Sequence, residues 1–539
     1  MIRRFKGTVL PMVLIALNSN AAASQARAST KPKLVVFITV DAMRPDYLSR
    51  FEEQLTGGLG RLYRGGAVFN NAFQDHAITE TAPGHSATMS GRFPVHTGIV
   101  ANTAGVNDTT VSLVEAVGPG ASPFRFRGST LTDWLIAKDS RTRALSVSRK
   151  DRGAILPIGK SKQQVFWYAS NGNFTTSTYY SASLPQWVRA FNARKLPASY
   201  AGRPWELLRP ESAYTERDSV PVESNGVGFT FPHYESTIPD SVAWFLPDFP
   251  WMDDVTLDFA LAGVNALKLG VGPQTDVLAI SLSTTDAIGH RYGPDSRELH
   301  DQILRLDRGL GVFLDSLFRI RNQNDVVIAL TADHGLTPFP EVHGYDPNSG
   351  AIRVNVRPVL EQLSNSLAAS GVPGNGLTYI LGIYRGNGFL FDSGVLELDR
   401  PALARAKING DSLVRSVQSA FLRVRGVAHA DRIPELARRD TVSDRLARRW
   451  LHMFSDESQA ALVVSLAPYN YWLASFYAQH GSPNDPDTRV PIIFYGRDVK
   501  PGRYGEFARV VDMAPTLAAI VGVSPQEKID GHILRHAIQ

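Results

Sequence analysis

Four apolar, β-branched runs in this chain stop abruptly at charged or metal-ligating residues, and a fifth follows one. "KLVVFITVDA" ends at Asp41, "RALSVSRKDRG" at Lys150 and Arg152, "TDVLAISLSTTDAIGH" at Asp286, and "NDVVIALTADHG" at Asp333 and His334; "RVPIIFYG" comes after His480. Continuous apolar runs bounded by turn signals read as strands buried on both faces. Between them lie stretches such as "SRELHDQILRLDRGLGVFLDSLFRI", apolar at three- and four-residue spacing, which reads as helix. The alternation predicts an α/β fold with a mostly parallel central sheet flanked by helices. Ligands of such sheets gather beyond the carboxyl ends of the strands, where these polar residues fall.

Two stretches break the alternation and read as inserted cap segments. Residues of about 160–250 are rich in aromatic residues, Pro and Gly, as in "FWYASNGNFTTSTYY". Residues of about 345–450 hold "RGNGFLF" and the basic, helix-like "ARRDTVSDRLARRW", whose arginines read as a solvated face. A chain of 539 residues has room for several domains, but large α/β enzymes commonly build one main domain with insertions. The expected organisation is a leader over 1–28 and one catalytic domain over 29–539.

The leader is a basic "MIRRFKG", a short apolar "TVLPMVLIAL" and small-residue cleavage sites after Ala23 or Ala28, the pattern of a signal peptide. The expected location is therefore periplasmic or secreted. The formal net charge is +5, but Arg3, Arg4, Lys6 and Arg27 lie in the leader, and without them about +1 remains. That is too little to attract nucleic acid. The apolar run falls short of the roughly 20 residues that span a bilayer, so no membrane anchor is expected, and the mature chain is read as a monomer. There is no cysteine, which excludes thiolate metal sites and disulfides.

Asp286 and His290 are four apart in "DAIGH", which places both on one face of a helix. Asp333 and His334 are adjacent and, on alternation alone, point apart toward different ions. With Asp41 and His480 they make three oxygen and three nitrogen donors without sulfur, a set that suits two zinc ions, with manganese or iron less well matched. Two such ions about 4 Å apart clamp the attacking and leaving oxygens of a phosphoryl displacement. His343, in "EVHGYDP", reads as a supporting or loop histidine rather than a further ligand.

In "ITETAPGHSATMSG" a threonine near the metals becomes a candidate nucleophile, because cations lower the pKa of a bound alcohol. The following turn into a helix would add amide donors for a phosphoryl group. On chemistry alone Thr79 and Thr81 are not separable.

These motifs, with "RKDRG" and "VDMAPTLAAIVGV", resemble in order those of the alkaline phosphatase superfamily. The likeness is to its type I phosphodiesterase/nucleotide pyrophosphatase-like branch, and there to bacterial alkaline phosphatases of the PafA and PhoK type. It runs from about Lys33 to the C-terminus. The resemblance implies Thr81 as the metal-bridging nucleophile, Asp286, His290 and His480 on one zinc, and Asp41, Asp333 and His334 on the other. It implies Asn102 on a phosphoryl oxygen, and it ties the Lys150/Arg152 pair to monoesterases, whose dianionic substrates need additional positive partners. Gly84 stands where diesterases of the branch usually carry Asn. The expected function is zinc-dependent hydrolysis of small phosphate monoesters through a phosphothreonine; phosphodiester or nucleotide pyrophosphate hydrolysis on the same metals is the alternative.

Overall fold

A computed structural model describes Met1 and residues 31–342, 350–380, 382–455, 458–473 and 476–539. Apart from Met1, the leader expected over 1–28 lies outside the described residues, as does His343.

The strands of the two principal sheets are, in chain order, β1 (Leu34–Val40), β2 (Ala67–Phe73), β3 (Ala144–Ser148), β4 (Gln164–Tyr168), β5 (Phe174–Thr175), β6 (Asp276–Leu282), β7 (Val326–Thr331), β8 (Thr378–Ile380), β9 (Ile383–Gly386), β10 (Phe389–Asp392), β11 (Val395–Leu398), β12 (Val427–Arg432), β13 (Ala460–Leu466), β14 (Ile492–Gly496) and β15 (Gly502–Arg509). The helices that bear on the site are α1 (Thr81–Thr88), α2 (Asp151–Ile155), α3 (Trp251–Ala266), α4 (Thr284–Tyr292), α5 (Arg297–Ile320) and α6 (Arg445–Leu451).

The central sheet has nine strands in the order β15-β2-β14-β7-β1-β6-β3-β4-β5. It is the mostly parallel sheet that the apolar runs predict: only β14 and the short edge strand β5 run against the rest. Every residue of β1, β6 and β7 is buried, which is why those runs carry no polar alternation. Val40 pairs with Leu282 and Thr39 with Thr331, so the three central strands end level and release the chain side by side. Because β14 is antiparallel to β7, its entrance lies at that same end and brings in the loop carrying His480.

Within 160–250, β4 and β5 belong to the edge of the central sheet, and Phe174 stacks on Phe259 of α3 with ring centroids 3.9 Å apart. The second sheet has six antiparallel strands in the order β8-β9-β10-β11-β13-β12, and a core of its own that includes Leu360, Phe391, Leu396, Phe421 and Leu462. Among the described residues no helix is long and apolar enough to cross a membrane.

Glu223 is buried, and its Oε2 has no hydrogen-bond partner among the described residues. Burial, then the nearby Glu298 and Asp218, push its pKa from 4.5 up to about 10. Between those values the unfolded chain binds fewer protons here than the folded one, so stability falls as pH rises. Glu223→Gln is expected to narrow the drop in melting temperature between pH 5 and pH 9; thermal melts of both proteins showing the same drop would refute this.

Candidate active site

Asp41 directly follows β1, Lys150 follows β3, Asp286 lies in the first turn of α4 after β6, and Asp333 and His334 follow β7. Lys150 Nζ lies 2.5 Å from Asp41 Oδ2, 2.7 Å from Asp286 Oδ2 and 3.4 Å from Thr81 Oγ1. Asp41, Thr81, Lys150, Asp286, His290, Asp333, His334 and His480 thus meet at one place. Asp286 and His290 share a face of α4, as their spacing predicts, with His290 Nε2 3.3 Å from Asp286 Oδ1.

Two groups of ligand atoms could each hold a metal ion. Asp286, His334 and His480 form one and Asp41, Asp333 and His334 the other, with the atoms of each group within 4.8 Å of one another. His290 Nε2 joins the first group, 3.2 Å from His480 Nε2. Asp333 and His334 do not point apart as strand alternation would require: His334 Nε2 is 3.6 Å from Asp333 Oδ2. β7 ends at Thr331, so both residues lie beyond the pleat that enforces alternation.

The donor set fits divalent cations on two grounds. Asp41 Oδ1, Asp286 Oδ1 and His334 Nε2 are buried without a hydrogen-bond partner among the described residues, which is costly for such groups unless an ion takes them. Each histidine also has its Nδ1 against a backbone carbonyl: His290 on Ala478 at 2.5 Å, His334 on Gly335 at 2.9 Å and His480 on Thr79 at 2.7 Å. An Nδ1–H donated there leaves the Nε2 lone pairs facing the cluster, the usual way a protein orients ligating imidazoles.

Electrostatics separate the carboxylates. Burial, then the charges of Asp286 and Asp333, push Asp41 up to about 6 against the pull of Lys150 and His334. Burial raises Asp286 too, but Lys150, His290 and His480 outweigh it and hold it well below the usual range. Burial and then His334 and His290 drive His480 down, which favours the neutral imidazole that a metal requires.

Thr81 is the first residue of α1, an eight-residue helix buried throughout. Asn102 Oδ1 accepts the Ala82 N–H at 2.8 Å, which fixes that side chain beside Thr81. Arg152 is not drawn into the cluster: its backbone N–H donates to Asp151 Oδ1 at 2.6 Å and its side chain remains 28% exposed on the first turn of α2. Thr79 separates cleanly from Thr81. Its hydroxyl donates to the Ser482 carbonyl at 2.9 Å and accepts the Gly481 N–H at 3.2 Å, so it ties down the His480 loop.

Several supporting residues escape the reading of the sequence. His85 touches Asp333 Oδ2 at 3.1 Å through Nδ1 and Ser281 Oγ at 2.9 Å through Nε2. Asp253 of α3 accepts the Thr284 hydroxyl at 2.8 Å and its N–H at 3.3 Å, and so fixes the start of α4 ahead of Asp286. The arginines of "ARRDTVSDRLARRW" are not all a solvated face. Arg449, 3% exposed, donates to Pro483 O at 2.5 Å and Asp485 Oδ1 at 2.8 Å, while Arg448 holds Asp75 at 2.8 and 3.1 Å. α6 packs under the His480 loop, and the carboxylates there recruit its basic side chains inward. Only its place in "TAPGH", four residues after Thr81, offered a signal for His85; nothing local marks the others.

A model of the type I phosphodiesterase/nucleotide pyrophosphatase family matches residues 35–356, and the chain belongs to that family. Its full-length relatives place it among the alkaline phosphatases there. Alkaline phosphatase PhoV of Synechococcus elongatus is 30% identical, covering 97% of each chain. Alkaline phosphatase PhoK of a Sphingomonas species is 31% identical, covering 94% of this chain and 91% of its own. The crystal structure of wild-type alkaline phosphatase PafA superposes with a TM-score of 0.84 at 26% identity, over 94% of this chain and 99% of that one.

Gly84 shows how closely α1 is set against the metal-ligating segment. A Cβ there would lie 2.1 Å from Asp333 O and 2.8 Å from Asp333 Cα, so no side chain fits without moving Thr81 or Asp333. Gly84→Ala is expected to cost about 1–3 kcal/mol of stability as overpacking and to lower activity beyond what the melting temperature explains. Unchanged kcat/KM in the folded variant would show that the approach is not needed.

Proposed function

We propose that this protein is an exported, zinc-dependent alkaline phosphatase that hydrolyses small phosphate monoesters through phospho-Thr81. The observation that carries the reading is Thr81 Oγ1 at a buried helix start, 3.4 Å from Lys150 Nζ and beside two carboxylate–imidazole groups. Asp286, His290 and His480 would hold one zinc, and Asp41, Asp333 and His334 the other. Zinc bound there supplies positive charge that favours the ionised forms of the Thr81 hydroxyl and of the leaving oxygen.

Thr81 Oγ1 forms a bond to phosphorus as the ester P–O bond breaks and the alcohol departs. Water then attacks the phosphothreonine, the P–Oγ1 bond breaks, and inorganic phosphate leaves. Lys150 is within reach of an oxygen on the phosphorus that Thr81 attacks, and Asn102 Nδ2 is directed by the bond its Oδ1 makes to Ala82. Arg152, adjacent and partly exposed, supplies a fork for the outer oxygens of a dianion. Export rests on the leader pattern, and N-terminal sequencing of protein from the periplasm or medium tests it: an intact Met1 there would refute cleavage.

The family's description keeps diesters as a second reading. Purified protein is expected to hold two zinc ions, to lose activity on chelation, and to prefer p-nitrophenyl phosphate to its bis ester; the opposite preference would sink the monoesterase reading. Thr81→Ala should lose roughly a thousandfold or more, and acid quenching of the wild type should leave phosphate on Thr81. Arg152→Ala should cost monoester turnover about tenfold to a hundredfold and diester turnover far less, as expected for a lost charged hydrogen bond.

A further inference from the structure

Glu80 sits at the N-cap position of α1 yet makes no side-chain bond to that helix. Its carboxylate turns away: Oε2 accepts the backbone N–H of Asn102 at 2.6 Å, and Oε1 accepts the hydroxyl of Ser393 at 2.7 Å. Asn102 takes over the neglected capping task, accepting the Ala82 N–H through Oδ1. The two residues therefore hold each other's segments. With Oδ1 committed to α1, the amide nitrogen Nδ2 is the group of Asn102 left to face a substrate.

Ser393 reaches Glu80 from far along the chain, a separation of 313 residues, at the turn between β10 and β11. That turn is rigidly built. Ser393 has a left-handed φ of 48°, and Gly394 follows at 81°, where a Cβ would lie 2.5 Å from Val464 O of β13. Asp392 in the same turn accepts the Thr103 hydroxyl at 3.3 Å, so the second sheet grips the residue after Asn102 as well.

We propose that Glu80 is a positioning residue for Asn102, and that the β10–β11 turn of the second sheet, through Ser393, fixes Glu80 for that task. Substrate recognition by Asn102 then depends on a sheet that contributes none of the eight clustered side chains. A carboxylate between an N–H and a hydroxyl is a stronger tether than a neutral acceptor, and it sets the Asn102 backbone, hence the direction of Nδ2. The inference rests on the reading of Asn102 as a phosphoryl contact.

The test is a double-mutant cycle on the full, zinc-loaded chain, following kcat/KM for p-nitrophenyl phosphate and inhibition by inorganic phosphate. Glu80→Ala is expected to weaken both by about tenfold or more in the wild type, and by less than about twofold when Asn102 is already Ala. Glu80→Gln, which keeps an acceptor for the Asn102 N–H, should recover most of the loss, with zinc content at two throughout. Ser393→Ala should repeat the pattern at smaller size, and it carries the test if Glu80→Ala does not fold. Equal losses in both Asn102 backgrounds would overturn the inference while leaving the enzyme's function untouched. An Asn102→Ala variant with normal phosphate inhibition would instead overturn the reading on which it rests.

Discussion

Three carboxylates, Asp41, Asp286 and Asp333, are buried together at the carboxyl end of one sheet, and the rest of the site follows from that. Each buried ion costs roughly several kcal/mol unless charge and hydrogen bonds compensate. Among the described residues the only side-chain ammonium contacting them is that of Lys150, which bridges two of the three. Asp41 Oδ1 and Asp286 Oδ1 are left without hydrogen-bond partners among the described residues, as suits ligands of a cation, and the imidazoles around them are held by carbonyls so that their lone pairs face inward. Strands β1, β6 and β7 ending in register make this concentration of charge geometrically possible. A slip of one residue would turn the side chains of the slipped strand to the other face.

Much of this was legible because buried parallel strands leave a plain mark. The runs ending at Asp41, Asp286 and Asp333 are apolar without alternation, so both the sheet and its functional edge could be read from them. The i, i+4 pair Asp286/His290 was readable for a similar reason, since one helical turn fixes the spacing. Alternation misled at Asp333/His334 because the strand had already ended. Chemistry could not rank Thr79 against Thr81; the structure gives them different partners, the Ser482 carbonyl and the Lys150 ammonium.

What stayed hidden was mostly contact across long separations. Arg449 looks like any surface arginine in a basic helix, and only its burial under the His480 loop, against Pro483 and Asp485, reveals a strut. Asp253 and Ser393 carry no local pattern at all. Gly84 stood out in sequence only as a departure from the Asn of the diesterases, whereas in three dimensions it is the point where α1 meets the backbone of Asp333. Such residues are fixed by the approach of two elements, and a single sequence does not state which elements approach.

The pair Lys150 and Arg152 shows how the same geometry divides two positive charges. Between Asp41, Asp286 and Thr81 there is room for a compact ammonium at 2.5, 2.7 and 3.4 Å, and a planar guanidinium with its five donors could not satisfy that space. Two residues later the chain has entered α2, and Arg152 stands at its partly exposed edge, outside the buried cluster. The two positive charges are therefore not interchangeable: the compact ammonium fits among buried carboxylates where a planar guanidinium does not, and the guanidinium keeps to the half-open margin.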